Sequence, residues 1–347
     1  MKSMTKLRMG IIGVGGIAES RHIPAYLHLN KIVEVTAVCD VNSVRAKEVA
    51  NKFEIEHVYD DYHAMFSIVD AVTICTPNKF HAEIAIAALD AGLHVLCEKP
   101  MAMTTAEAEL MLEASKRNGK KLSIAYHYRF VESVQLAKKT MNEVGDPLVT
   151  RVQAMRRRKV PGWGVFTNQQ MQGGGSLIDW GCHLLDAALW LLDKRKPVEV
   201  IGQTYNRLSK TPNQINEWGA FDHDTFDVDD HVTAYIRFED HSTMLFECSW
   251  AANIKEDMTQ ISISGVDGGL QVFPFESYKS KHGAFTTSSA YVQDDQHQAG
   301  ILQAKNFIES CLGHADLVNK PEESLQVTQL IDAIYESSIS GRSVRIP

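Results

Sequence analysis

No apolar run in this 347-residue chain approaches the ~20 residues that span a bilayer, which excludes a helical membrane protein. An excess of basic charge is also lacking. Against 43 aspartates and glutamates stand 35 lysines and arginines, and a formal charge of −8 argues against nucleic acid as the main partner. Cysteine is sparse and unpatterned. Cys39, Cys75, Cys97, Cys182, Cys248 and Cys311 form no C-x-x-C pair, the usage of reduced, buried side chains in a cytoplasmic protein. There is no internal repeat and no low-complexity segment. The polar first residues, Met1–Arg8, lead into a glycine-rich strand rather than a signal peptide. The length exceeds a typical single core and suits two domains; with no linker between them, a ligand site is expected where they meet.

The first third alternates strand and helix patterns: strands at Leu7–Ile12, Val33–Cys39, Ala71–Cys75, His94–Cys97 and Lys121–Tyr126, with helices between them. That rhythm specifies a doubly wound parallel sheet, an α/β domain over residues 1–125. Beyond Tyr126 the pattern changes. Helices at Val131–Asn142 and Ser176–Leu192 accompany strand-like runs at Leu148–Arg157, Val198–Asn206, Asp230–Phe238, Thr243–Ala251, Thr259–Gly265 and Gly269–Phe273. Two helices, His297–Cys311 and Pro321–Ser338, close an α+β domain over residues 126–347 with a large, mostly antiparallel open sheet.

The first strand runs into Gly13-x-Gly15-Gly16-Ile17-Ala18, a G-x-G-x-x-[GA] turn opening a helix. Gly13 makes the tight turn, Gly15 admits a pyrophosphate, and the N–H groups of Gly16 and Ile17 face its charge. The second strand ends in Asp40, at the distance where a carboxylate accepts hydrogen bonds from an adenosine ribose and repels the extra phosphate of NADP, so NAD is expected over NADP. Arg45, one turn on, stacks near the adenine or covers a solvated helix face. This domain reads as a Rossmann dinucleotide-binding domain. Thr76 and Asn78 follow the strand Ala71–Cys75 at the carboxyl edge where ligands bind, and His81 begins the next helix. Glu98-Lys99-Pro100 follows the strand His94–Cys97 at the same edge. A lysine buried beside a nicotinamide has its pKa lowered and polarises a substrate oxygen.

In the second domain, Gly173-Gly174-Gly175 precedes a helix on which Asp179, His183 and Asp186 share one face at i, i+4 and i+7. Leu177, Leu184, Ala188 and Leu191 form the opposite, core-facing side. A histidine held by a neighbouring carboxylate is a proton acceptor near neutral pH. The three residues lack a further metal ligand, so no metal is expected. Arg156–Lys159 ends a strand, so alternate residues point opposite ways and one pair, with Arg157, lines a pocket. Trp163, Phe166 and Trp218 lie in loops and suit stacking on a sugar ring. The acidic group Asp222, Asp224, Asp227, Asp229 and Asp230 reads as a solvated turn.

The glycine turn, Glu98-Lys99-Pro100 and Gly173-Gly174-Gly175-x-Leu177-x-Asp179-x-Gly181-x-His183-x-x-Asp186, in this order, resemble the Gfo/Idh/MocA oxidoreductases, the relatives of glucose–fructose oxidoreductase and inositol dehydrogenase. The resemblance implies Lys99, Asp179 and His183 as the catalytic set. From the family's basic segment after the strand Lys121–Tyr126, Arg129 carries over toward substrate. It further implies a carbohydrate or polyol substrate, and a homodimer or homotetramer formed through the open sheet face. The expected reaction is hydride transfer between NAD and a secondary hydroxyl of a sugar, glycoside or cyclitol. Alternatives are glycosidic cleavage through transient oxidation and a cofactor-bound regulator without turnover.

Overall fold

The computed structural model describes residues 6–193 and 195–346. The chain divides into two compact units, one formed by the chain through Phe130 with Asp295–Leu325, the other by Val131–Asp294 with the chain from Gln326 onward.

The first unit is built on a six-stranded parallel sheet in the order β3-β2-β1-β4-β5-β6, from β1 (Leu7–Ile12), β2 (Val33–Cys39), β3 (His57–Tyr59), β4 (Ala71–Ile74), β5 (His94–Cys97) and β6 (Leu122–Ile124). β4 is buried at all four residues, as an unbroken apolar run covered on both faces requires. Capping sets the helix limits. Asn42 accepts from the Arg45 N–H at the start of Ser43–Phe53, and Thr104 accepts from Glu107 N–H at the start of Thr105–Asn118. Gly119, at φ +60°, ends the latter helix in the left-handed region. The core joins Met9, Ile11, Val14, Ala18, Ile23 and Tyr26 to Phe307 and Ile308. Those last two lie on the helix Gln296–Cys311, so this unit takes in a helix that sequence order assigns to the second domain. An amphipathic helix goes where its apolar face is buried, whatever its place in the chain.

The second unit carries a nine-stranded sheet. Its strands are β7 (Pro147–Met155), β8 (Pro197–Tyr205), β9 (His231–Phe238), β10 (Thr243–Ser249), β11 (Met258–Gly265), β12 (Gly269–Gln271), β13 (Glu276–Lys281), β14 (Ala284–Ser289) and β15 (Val344–Arg345). The order is β14-β13-β12-β11-β7-β10-β9-β8-β15, antiparallel except where β10 runs parallel to β7. The hairpin β13–β14 was not foreseen. Every residue of β14 is exposed, so neither strand has the apolar alternation that marks a half-buried strand. The helix Cys182–Leu192 is buried at ten of its eleven residues, so the polar side foreseen for it is not a solvated face.

Candidate active site

In the first unit, the functional side chains sit on the loops leaving the carboxyl ends of β1, β2, β4 and β5. Gly13 has φ +83°, and a Cβ there would stand 2.8 Å from the Cys75 carbonyl carbon, so the turn admits no other residue. At Gly15 and Gly16 an added Cβ would meet nothing within 4 Å. Their smallness is not required by the protein's own packing, and it suits close approach of a ligand. Ala18 is fully buried against the strand. Asp40 accepts from Val14 N–H and from Asn42 N–H, each at 2.9 Å, which fixes the carboxylate at the end of β2. The Thr76 hydroxyl is buried and has no hydrogen-bond partner among the described residues. An open glycine cradle, a fixed acid and an orphaned hydroxyl at one sheet edge fit a dinucleotide.

Glu98 is buried at the same edge. His22 Nε2 lies 2.7 Å from its Oε1, and Lys99 N–H donates to Oε2 at 3.2 Å. Burial pushes the Glu98 pKa up, but the His22 hydrogen bond and the charges of His22, Arg21 and Lys99 outweigh it and bring it down to about 2. Glu98 is therefore an anion that fixes the peptide carrying Lys99. His22 was missed in the sequence. The signal for it was a histidine one turn into the helix that follows the glycine turn, whose first turn widens into π geometry over Ala18–His22. The structure places His81 as a brace between two loops. Its ring is fully buried, with Nδ1 2.8 Å from the Pro100 carbonyl and Nε2 3.0 Å from the Thr76 carbonyl, tying the loops after β4 and β5 together. Arg129 lies within the same unit. Its guanidinium is sealed from solvent and donates to the Val318 carbonyl and to Glu323.

In the second unit, Asp179 lies on a π turn, Leu177–Gly181, that leads into the helix carrying His183. The indole N–H of Trp250 donates to Asp179 Oδ2 at 3.0 Å, and Arg156 reaches the same oxygen at 3.6 Å. The Arg156 guanidinium lies over the rings of both Trp180 and Trp218, 4.5 Å from each centroid. Trp163 packs on Trp218 at 5.4 Å and remains half exposed. Strand alternation through the basic run, expected from the sequence, fails because β7 ends at Met155. Arg156 turns toward Asp179, while Arg157 donates to the Lys255 carbonyl, so the arginine beside the polar helix is Arg156. Asp186 is sealed from solvent.

The start of this helix is pinned by a residue read from the sequence as part of a solvated turn. Asp229 is buried; it accepts from Gly175 N–H and Tyr335 O–H at Oδ1 and from Ser176 O–H and Leu177 N–H at Oδ2. The glycines answer to the same clasp, since a Cβ at Gly174 would strike the Tyr335 hydroxyl and one at Gly175 the Asp229 carbonyl, each at 2.0 Å. Among the described residues, no group of three or more His, Cys, Asp or Glu is arranged to hold a metal, and no helix is long and apolar enough to cross a membrane.

Residues 7–126 match the model of an oxidoreductase family with an NAD-binding Rossmann fold, and residues 135–271 match the GFO/IDH/MocA C-terminal domain. The chain belongs to the Gfo/Idh/MocA family. It is an oxidoreductase with an NAD-binding domain. It is 36% identical to the D-glucoside 3-dehydrogenase of Escherichia coli over 98% of this chain and 97% of that protein. With the levoglucosan dehydrogenase of Pseudarthrobacter phenanthrenivorans it shares 29% identity over 99% of each chain. The fold also matches a solved levoglucosan dehydrogenase in complex with NADH, with a TM-score of 0.86 at 23% identity, covering 99% of this chain and all of that one.

Proposed function

We propose that this NAD-dependent oxidoreductase acts on a secondary hydroxyl of a sugar, glycoside or cyclitol, or on the matching ketone in reverse, with Lys99, Asp179 and His183 as its catalytic set. The observation that carries the reading is the setting of Asp179, a carboxylate held by Trp250 and Arg156 one helical turn from His183 in a chain with an NAD-binding domain. The D-glucoside and levoglucosan dehydrogenases among its relatives support a carbohydrate substrate and net hydride transfer.

When bound, NAD supplies the hydride acceptor. The chain's own residues manage the proton and the charge. His183 takes the hydroxyl proton as general base and returns it in the reductive direction. Lys99 stabilises negative charge on the oxygen as that proton leaves. Asp179 orients His183 and holds a neighbouring hydroxyl. Trp163 and Trp218 offer ring faces to the sugar, and Arg156 keeps Asp179 and Trp218 in place.

A panel of glycosides and cyclitols with NAD+, followed by NADH absorbance, tests the substrate class. Lys99→Met and His183→Ala should each lower turnover by ~10²–10⁴-fold, with NADH binding kept in His183→Ala. Arg156→Met should lower kcat/KM with less effect on NADH binding. Variants at Lys99 and His183 that both keep more than about a tenth of turnover would refute the mechanism.

The open face of the nine-stranded sheet is the proposed partner surface. A cross-strand row of Ile201, Tyr235, Leu245 and Arg151 lies exposed there over a depression of about 680 Å³. An exposed apolar row on a sheet suits a second copy of the chain, as a dimer or tetramer. All six cysteines are unpaired, in keeping with a reducing, cytoplasmic setting.

A further inference from the structure

Glu19 lies on the wide first turn of the glycine-turn helix, where the fingerprint asks for no acid. Its carboxylate holds two cations. Arg45 donates to Oε2, and Lys52 Nζ donates to Oε1 at 2.5 Å. These two bonds, Lys52 first, hold the Glu19 pKa below the usual carboxylate range, so the residue is an anion at neutral pH. Arg45 also donates from Nε to the Val14 carbonyl at 3.3 Å and lies 3.7 Å from Glu48. Val14 is the residue whose N–H goes to Asp40. Arg45 and Asp40 therefore grip the same residue of the glycine turn from opposite ends of its backbone.

We infer that Glu19 is a specificity-determining residue of the cofactor site, because it withholds from a ribose 2′-phosphate the two cations that would receive it. The inference rests on NAD as the cofactor. Discrimination against NADP is then double: Asp40 repels the phosphate, and Glu19 occupies its natural counter-charges. The local charges decide how substitutions act. Arg45 and Lys52 stand against Asp40, Glu19 and Glu48, two positive charges against three negative. Removing either Glu19 or Asp40 alone leaves the cluster neutral. Removing both makes it positive and releases Arg45 from Glu19. Asp40→Ser by itself removes the repulsion but leaves Arg45 held by Glu19.

Direct binding of NADPH and NADH to the substrate-free protein, read by nicotinamide fluorescence, tests this in wild type, Glu19→Gln, Asp40→Ser and the double variant. Each single change should tighten NADPH binding by less than about tenfold, and the double variant should exceed the product of the two by about threefold or more. Adding Arg45→Met to the double variant should abolish the excess. The NADH affinity of each variant reports whether the glycine turn is still formed, and Glu19→Ser substitutes for Glu19→Gln if that turn is lost. A double variant equal to the product of its singles, or one indifferent to Arg45→Met, overturns the role of Glu19. A wild-type protein that binds no NADH overturns the cofactor reading itself.

Discussion

Replacing Tyr335 by Phe deletes one oxygen atom and leaves the ring in place, so it isolates a single hydrogen bond of the clasp under the polar helix. The hydroxyl donates to Asp229 Oδ1 at 2.6 Å. Burial, and then the charge of Asp229, push the tyrosine pKa well above its ordinary value, so the group is always the donor. Without it, Oδ1 keeps only the Gly175 N–H as donor, while Oδ2 keeps Ser176 and Leu177. A buried hydrogen bond to a charged group contributes about 1.5–3 kcal/mol. For a unit of this size, about 2–4 °C of melting temperature is lost per kcal/mol, so Tyr335→Phe should lower the transition by roughly 3–12 °C. Calorimetry measures the shift, and hydrogen exchange at the Gly175 and Leu177 amides localises it. Turnover should fall as well, because Asp179 and His183 ride on the helix whose start is loosened. Gly175→Ala should be worse, since its Cβ meets the Asp229 carbonyl at 2.0 Å. A shift below about 1 °C, with unchanged exchange at residues 175–177, would show that the clasp does not hold the helix.

Acid should destabilise the protein through His127. Burial, then the Arg21 charge, brings its pKa down to about 3, against about 6.5 when unfolded. The stability it contributes is complete above the unfolded value and is lost as pH falls toward 3. His94, brought to about 4 by burial and by Lys120 and Lys121, adds to the same loss, whereas Glu98, at about 2, acts only below the unfolded carboxylate range. Melting temperature should therefore drop between pH 7 and 5, and His127→Gln, which gains no proton, should drop less; equal slopes would refute this. On the sheet face, Tyr235→Lys with Leu245→Lys should yield monomers in light scattering, and an unchanged mass would move the interface elsewhere.

Much of this protein was legible along the chain because its signals are local. The glycine turn, the acid ending β2, helix caps narrowed to Asn42 or Ser43 and to Thr104 or Thr105, and the strand–helix alternation each depend on residues within a few positions of one another. Asp179 and His183 stood out because helical spacing alone puts them on one side of an apolar helix. Other features depend on contacts between distant segments and were misread or missed. Arg129 and Arg157 carry the right charge but are turned to Glu323 and to the Lys255 carbonyl, while Arg156 was drawn in by Trp180, Trp218 and Asp179. Asp229 looked like one acid among many until four donors closed on it.

Periodicity and turn chemistry in the sequence determined the two sheets, the dinucleotide turn and the family, since backbone geometry responds to neighbours in the chain. Tertiary packing alone decided which unit took the helix Gln296–Cys311, which arginine faces Asp179, and that Glu19 rather than solvent holds Arg45. A charged side chain pairs with whatever opposite charge folding brings within reach, and burial raises the cost of leaving it unpaired. Neither the partner nor the burial is written in the spacing of its neighbours.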